Sequence, residues 1–179
     1  ICIVDEAKFS EIKNCLIGVK VEILSGYKEL IELSSRDNLD LLLNALVGYS
    51  GMEPTLRAVE QGVDVALANK ESLVVGGSII KNKMNDSGAK IFPVDSEHSA
   101  IWQCLIGEND HEIDKLILTG SGGPFRTLNI TKFNTINKKQ ALKHPNWSMG
   151  KKITIDSATM MNKGFEVIEA YWLFNLPIN

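Results

Sequence analysis

Two carboxylates stand two residues apart in Asp95-Ser96-Glu97, directly after the apolar run at 91–94. In an extended segment such residues point the same way, so both acids can face one point, which suits a divalent cation. Two carboxylates about 4 Å apart repel by about 4 kcal/mol at an effective dielectric of 20, so a crowded pair binds a metal, shares a proton or separates into water. The competing reading is a helix N-cap, with Asp95 or Ser96 capping a helix that begins near Glu97. Thr119-Gly120-Ser121-Gly122-Gly123-Pro124 also follows an apolar run, and backbone N–H groups without Cβ obstruction can cradle a phosphate or an oxyanion. The spacing lacks the last glycine of the dinucleotide fingerprint, and a plain tight turn explains the segment equally well.

The densest polar segments are His144 to Gly150 and Asp156 to Gly164, followed by Glu166. Trp147 and Met149 lie in a polar loop where core periodicity does not account for them. An exposed Trp there can fold onto a ligand or simply pack on the surface. A helix starting near Ala158 puts Asn162 and Glu166 on one face with Lys163 beside it, so amide, ammonium and carboxylate converge; a solvated Lys-Glu pair is the plainer cause of that spacing. His144 precedes a proline and is also read as a turn residue. Asn69-Lys70-Glu71-Ser72 sits at a strand-to-helix junction, where a helix N-terminus favours anions and Lys70 adds a full charge; capping is again the alternative.

These groups need a scaffold, and the first half of the chain supplies a βαβ rhythm: strands at 21–24, 41–45, 63–68 and 91–94 alternate with helices at 27–33, 53–61 and 71–84. Leu41-Leu42-Leu43 and Val65-Ala66-Leu67 are apolar at consecutive positions, which predicts strands covered on both faces and a doubly wound parallel sheet. Ligands on such sheets bind beyond the carboxyl ends of the strands, here 47–51, 69–71 and 95–97. Past Asp95 the pattern changes to a helix at 96–106, strands at 115–119 and 153–155, and a final helix. The expected organisation is a partial nucleotide-binding α/β domain at 1–94 and an α+β catalytic domain at 95–179.

The 179 residues carry 19 Lys+Arg against 22 Asp+Glu, a net charge of −3, so no broad field attracts nucleic acid. No apolar run approaches the roughly 18 residues of a membrane span. Cys2, Cys15 and Cys104 are scattered and odd in number, which argues against a disulfide framework or a zinc site and fits a reducing cytoplasm. Three Asn-x-Ser/Thr patterns, at Asn85, Asn129 and Asn146, are read as chance matches. The start at Ile1, and an apolar run at 167–174 with little after it, lead to the expectation of a piece cut from something longer.

Five ordered blocks, Ala68-Asn69-Lys70-Glu71-Ser72-Leu73, Pro93-Val94-Asp95-Ser96-Glu97-His98, Leu118 to Phe125, His144 to Gly150 and Asp156 to Gly164, resemble the 1-deoxy-D-xylulose 5-phosphate reductoisomerase family through almost the whole chain. The resemblance implies that Asp95, Glu97 and Glu166 hold Mg²⁺ or Mn²⁺, with Co²⁺ a further candidate. It implies that Ser121, Ser157, Asn162 and Lys163 bind the substrate phosphate, that Lys70, Ser96 and His144 line the substrate pocket, and that Trp147 and Met149 belong to a closing loop. Asn69, Glu71 and Gly150 would touch NADPH, and Glu97, Lys70 and His144 would be catalytic. The implied reaction rearranges the ketose phosphate to an aldehyde and reduces it with NADPH to 2-C-methyl-D-erythritol 4-phosphate, in non-mevalonate isoprenoid synthesis. The expected setting is a bacterial cytoplasm, or a plastid-type organelle in a eukaryote, with a homodimer at full length. The family's Gly-rich dinucleotide turn and C-terminal helical domain have no counterpart in these residues, so this stretch alone is expected to be inactive. The alternatives are a non-catalytic sugar-phosphate- and metal-binding remnant and a sugar-phosphate dehydrogenase that reduces without rearranging.

Overall fold

Short apolar strands followed by amphipathic helices organise the N-terminal unit of the computed structural model, which describes residues 1–108, 113–143 and 148–175. The chain divides into two units, Ile1–Val94 and Asp95–Asn179. In the first, β1 (Cys2–Ile3) pairs in parallel with β2 (Leu24–Ser25), and α1 (Phe9–Cys15) lies between them in sequence. After α2 (Tyr27–Ser34), β3 (Leu41–Asn44), β4 (Asp64–Leu67) and β5 (Ile91–Pro93) form a parallel sheet in the order β3-β4-β5. The crossovers are α3 (Met52–Glu60) and α4 (Lys70–Ser87), long enough to return the chain for parallel pairing. The parallel α/β reading therefore holds.

Core and edge separate clearly. Ala58 and Val59 of α3, Val65 and Leu67 of β4, and Ile80 of α4 are all 0% exposed, and burying each of the larger side chains contributes about 1.5–3 kcal/mol. Covering on both faces does not extend to β3: Leu41 and Leu43 are 51% and 63% exposed, because β3 ends the order of its sheet while β4 is paired on both sides. The carboxyl ends of β3 and β4 are joined by buried polar groups. Asn44 donates to the carbonyl of Gly51 and to Thr55 Oγ1, both at 2.7 Å, and Thr55 reaches Ser72. Asn69 caps α4 by accepting from the Ser72 N–H, so the capping alternative at this junction is realised.

The described part of the second unit contains α5 (Ser96–Leu105), α6 (Lys138–Ala141), α7 (Lys151–Ala158) and α8 (Met161–Phe174), with a 3₁₀ turn at Ile130–Thr135. The two strands expected here do not form. Residues 115–119 have no strand beside them among the described residues, so no ladder takes up their backbone groups, and the Thr119 carbonyl accepts from Lys163 instead. Ile153-Thr154-Ile155 mimics the alternation of a strand, yet it lies inside α7, where Thr154 turns inward and α8 packs alongside. Tertiary packing has overridden β-branched propensity. The final helix starts at Met161, later than expected, because Met160 adopts a left-handed φ of 63° that separates α7 from α8. Among the described residues no helix is long and apolar enough to cross a membrane.

Leu67→Ala should lower unfolding free energy by about 2–5 kcal/mol, whereas Ile117→Ala, at a position 73% exposed, should change it by less than about 0.5 kcal/mol. Urea denaturation followed by circular dichroism measures both, and a large loss at Ile117 would mean that 115–119 is a buried strand after all.

Candidate metal centre

Asp95 serves as both cap and acid. Its Oδ1 accepts from the N–H of Ser96 at 3.0 Å at the start of α5. One oxygen each of Asp95, Glu97 and Glu166 then meet within 4.8 Å of one another. Cap and cation readings are compatible, since a carboxylate has two oxygens and can serve a helix and a cluster together. Glu166 comes from α8, 69 positions beyond Glu97, and is only 2% exposed.

Three carboxylates at such separations repel by about 3–4 kcal/mol per pair at an effective dielectric of 20, so positive charge must stand among them. Lys163 provides it. Its Nζ donates to Glu166 Oε2 and to the carbonyl of Thr119, and to Glu97 Oε1 at 3.3 Å. Asn162 donates to the other oxygen of Glu166, so the helical spacing of Asn162, Lys163 and Glu166 does bring amide, ammonium and carboxylate together. Partial burial pushes the Glu97 carboxyl up, but the hydrogen bond from Ser96 at 2.7 Å, a backbone N–H and the nearby ammonium together hold it below the usual range. Glu97 is thus ionised at neutral pH, the form a cation requires. Hard, anionic oxygen donors of this kind fit Mg²⁺ or Mn²⁺, which can also keep coordination positions for water or ligand oxygens.

Beside the acids is a pocket of about 50 Å³ lined by Glu97, Ser121, Ser157, Asn162, Lys163 and Glu166, together with Gly122, Gly123 and Met160. All four residues assigned to phosphate by resemblance therefore share one pocket with two of the three acids. The glycine turn fits because it lacks side chains: a Cβ on Gly123, whose φ is +70°, would stand 2.7 Å from the carbonyl oxygen of Ser157. Met160 was not anticipated as a lining residue. Its left-handed backbone, invisible to helical periodicity, turns the chain from α7 into α8.

Ser96 is exposed at the start of α5, Met149 is half-buried, and Gly150 is the exposed cap of α7. His144 and Trp147 lie outside the described residues. In the first unit, Lys70 is 7% and Asn69 1% exposed. The Asn69 amide is occupied by its own chain, donating to the carbonyls of Leu46 at 2.6 Å and Gly48 at 2.9 Å and to Glu71 at 3.3 Å, while its oxygen accepts from Ser72. A second donor group, missed at the sequence level, is Asp95, His98 and Glu169, also within 4.8 Å of one another. The signals were present: His98 lies three residues after Asp95, and Glu169 one turn after Glu166.

Comparison with known proteins bears on the same residues. Residues 1–77 match the family model for 1-deoxy-D-xylulose 5-phosphate reductoisomerase, and residues 91–174 match that for its C-terminal domain. A 1-deoxy-D-xylulose 5-phosphate reductoisomerase of Chloroherpeton thalassium is 54% identical over 176 residues, covering 98% of this chain and 46% of that protein. One from Halothermothrix orenii is 56% identical over 167 residues, covering 93% and 43% respectively. The chain thus spans just under half the length of these curated relatives. A crystal structure of DOX-P reductoisomerase with NADPH, fosmidomycin and magnesium superposes with a TM-score of 0.87 at 42% identity, over 98% of this chain and 46% of that one. The Zymomonas mobilis enzyme with NADPH gives 0.89 at 41% identity, over 98% and 45%.

If Lys163 competes with a cation for Glu97 and Glu166, Lys163→Met should bind Mn²⁺ at least as tightly as the unaltered protein while losing tenfold or more in affinity for a phosphonate. Calorimetric titration with each ligand tests this; weaker Mn²⁺ binding would show that the ammonium supports the site instead of competing for it.

Proposed function

Because the chain belongs to the 1-deoxy-D-xylulose 5-phosphate reductoisomerase family, we propose that it forms the metal- and substrate-binding part of an enzyme that converts 1-deoxy-D-xylulose 5-phosphate to 2-C-methyl-D-erythritol 4-phosphate. The observation that carries this reading is the meeting of Asp95, Glu97 and Glu166 beside a pocket lined by Lys163, Asn162, Ser121 and Ser157. The first three would hold Mg²⁺ or Mn²⁺, with Co²⁺ able to substitute. When bound, such a cation supplies Lewis-acid stabilisation to the oxyanions that develop as the carbon skeleton breaks and rejoins. NADPH supplies the hydride that reduces the resulting aldehyde to the alcohol.

The remaining work belongs to the chain. Lys163, Ser121, Ser157 and Asn162 offer an ammonium, two hydroxyls and an amide, donors suited to a phosphate dianion. Gripping the phosphate orients the reacting end of the substrate from a distance, so binding energy goes into alignment. Glu97, kept ionised by Ser96 and Lys163, is in the form a cation requires, and is assigned to catalysis. Lys70 and His144 are assigned to the substrate pocket and to catalysis, and Trp147 and Met149 to a loop that excludes water on closure. Residues 1–94 take the role of a partial NADPH-binding domain and 95–179 that of the catalytic domain. Glu71 and Gly150 are assigned to the cofactor. The fully engaged amide of Asn69 serves the cofactor by shaping the turn at 46–48. The relatives are from Chloroherpeton thalassium and Halothermothrix orenii, and the setting we propose is a cytoplasmic enzyme of small-molecule metabolism that is a homodimer at full length.

Glu166→Gln in the full-length protein should weaken Mn²⁺ binding at least tenfold and lower kcat/KM by a hundredfold or more, with the circular dichroism spectrum unchanged. NADPH oxidation and Mn²⁺ calorimetry check this, and NMR of the product distinguishes rearrangement with reduction from reduction alone. Binding of Mn²⁺ and a phosphonate without turnover in the full-length protein would favour a non-catalytic remnant.

A further inference from the structure

His98 follows Glu97 on α5 and is 0% exposed. Its Nε2 lies 2.8 Å from the main-chain carbonyl of Glu166, 68 residues away. A carbonyl can only accept, so Nε2 donates. On the opposite side of the ring, Nδ1 faces Glu169 Oε2 at 3.5 Å and Asp95 Oδ2 at 3.8 Å. The ring is stacked against Phe174, with planes 4° apart. Glu169, also 0% exposed, is one turn beyond Glu166 on α8. A carboxylate at that depth is costly without a cation-like partner, and the imidazole edge faces it at 3.5 Å.

From this arrangement we propose that His98 and Glu169 are a positioning pair for the cation site: they hold α5 against α8 so that Asp95 and Glu97 meet Glu166, and they set the orientation of the Asp95 carboxylate. The inference rests on the cation reading above. Lys163 also links the two segments, but through the carboxylates that a cation would claim. The His98 bond uses a main-chain carbonyl instead, so it persists when the acids turn to a metal. Groups behind metal ligands commonly change affinity by about 10–100-fold when removed.

The test compares full-length wild-type protein with His98→Ala, His98→Gln, Glu169→Gln and, as a ligand control, Asp95→Asn, by Mn²⁺ titration and electron paramagnetic resonance, with circular dichroism of the metal-free forms. Wild type should bind one Mn²⁺ and Asp95→Asn should lose it. His98→Ala and Glu169→Gln should remain folded and bind 10–100-fold more weakly. His98→Gln, whose amide can still reach the Glu166 carbonyl, should fall between. In the glutamine variants the spectrum of bound Mn²⁺ should broaden, a change in ligand geometry that lowered fold stability alone does not produce. If His98→Ala does not fold, the two glutamine variants decide by the same criteria. Wild-type affinity and spectrum in the folded variants overturn the proposal. So does a second Mn²⁺ in the wild type that only the His98 and Glu169 variants lose, since the pair would then be ligands. Failure of the wild type to bind Mn²⁺, or undiminished binding by Asp95→Asn, overturns the cation site itself and is distinguishable from both.

Discussion

Like charges brought close together govern the second unit. Asp95, Glu97 and Glu166 place carboxylate oxygens within 4.8 Å of one another, with Glu166 almost wholly buried. Water cannot screen such a group well, so the fold must supply positive charge, and Lys163 does so from one turn before Glu166. The same ammonium lies in the wall of the pocket. A divalent cation would satisfy the acids better than one ammonium and would leave Lys163 available to an anionic ligand. Acids, ammonium and pocket thereby form one electrostatic arrangement.

Two helices carry that arrangement because helices hold side chains at fixed spacing. On α8, Asn162 and Glu166 stand four apart, Lys163 and Glu166 three apart, and Glu166 and Glu169 again three apart, so one face bears the cluster and its support. On α5 the first turn provides Asp95 as cap, Glu97 as the second acid and His98 as the link to the carbonyl of Glu166. The left-handed residue Met160 sets where α8 begins, and the bare backbone of Gly123 allows the glycine turn to approach Ser157. Neither device contributes a ligand, yet both shape the pocket.

The first unit solves a different problem, that of shaping loops at the ends of parallel strands. Asn44 and Asn69 are buried amides whose donors are given to backbone carbonyls of the turn beyond β3. Gly51 must be bare there, since a Cβ would come within 2.5 Å of the Asn69 side chain. The Asn69 side chain is consumed in building this junction.

Much was legible from local sequence. The βαβ order, the cap at Asn69, the helix after Asp95 and the shared face of Asn162 and Glu166 all follow from periodicity and capping, which act over a few residues, and the five ordered blocks were enough to indicate the family. Local pattern misread 153–155, whose alternating isoleucines suit a strand equally well until α8 supplies a surface to pack on. It also misread 115–119, because a strand exists only where another strand accepts its hydrogen bonds. Only the tertiary structure brought Glu166 to Asp95 and Glu97, placed Lys163 among them and turned His98 toward Glu169. Those contacts join residues more than sixty positions apart, and at that separation proximity depends on packing, about which the spacing of residues along a chain carries no information.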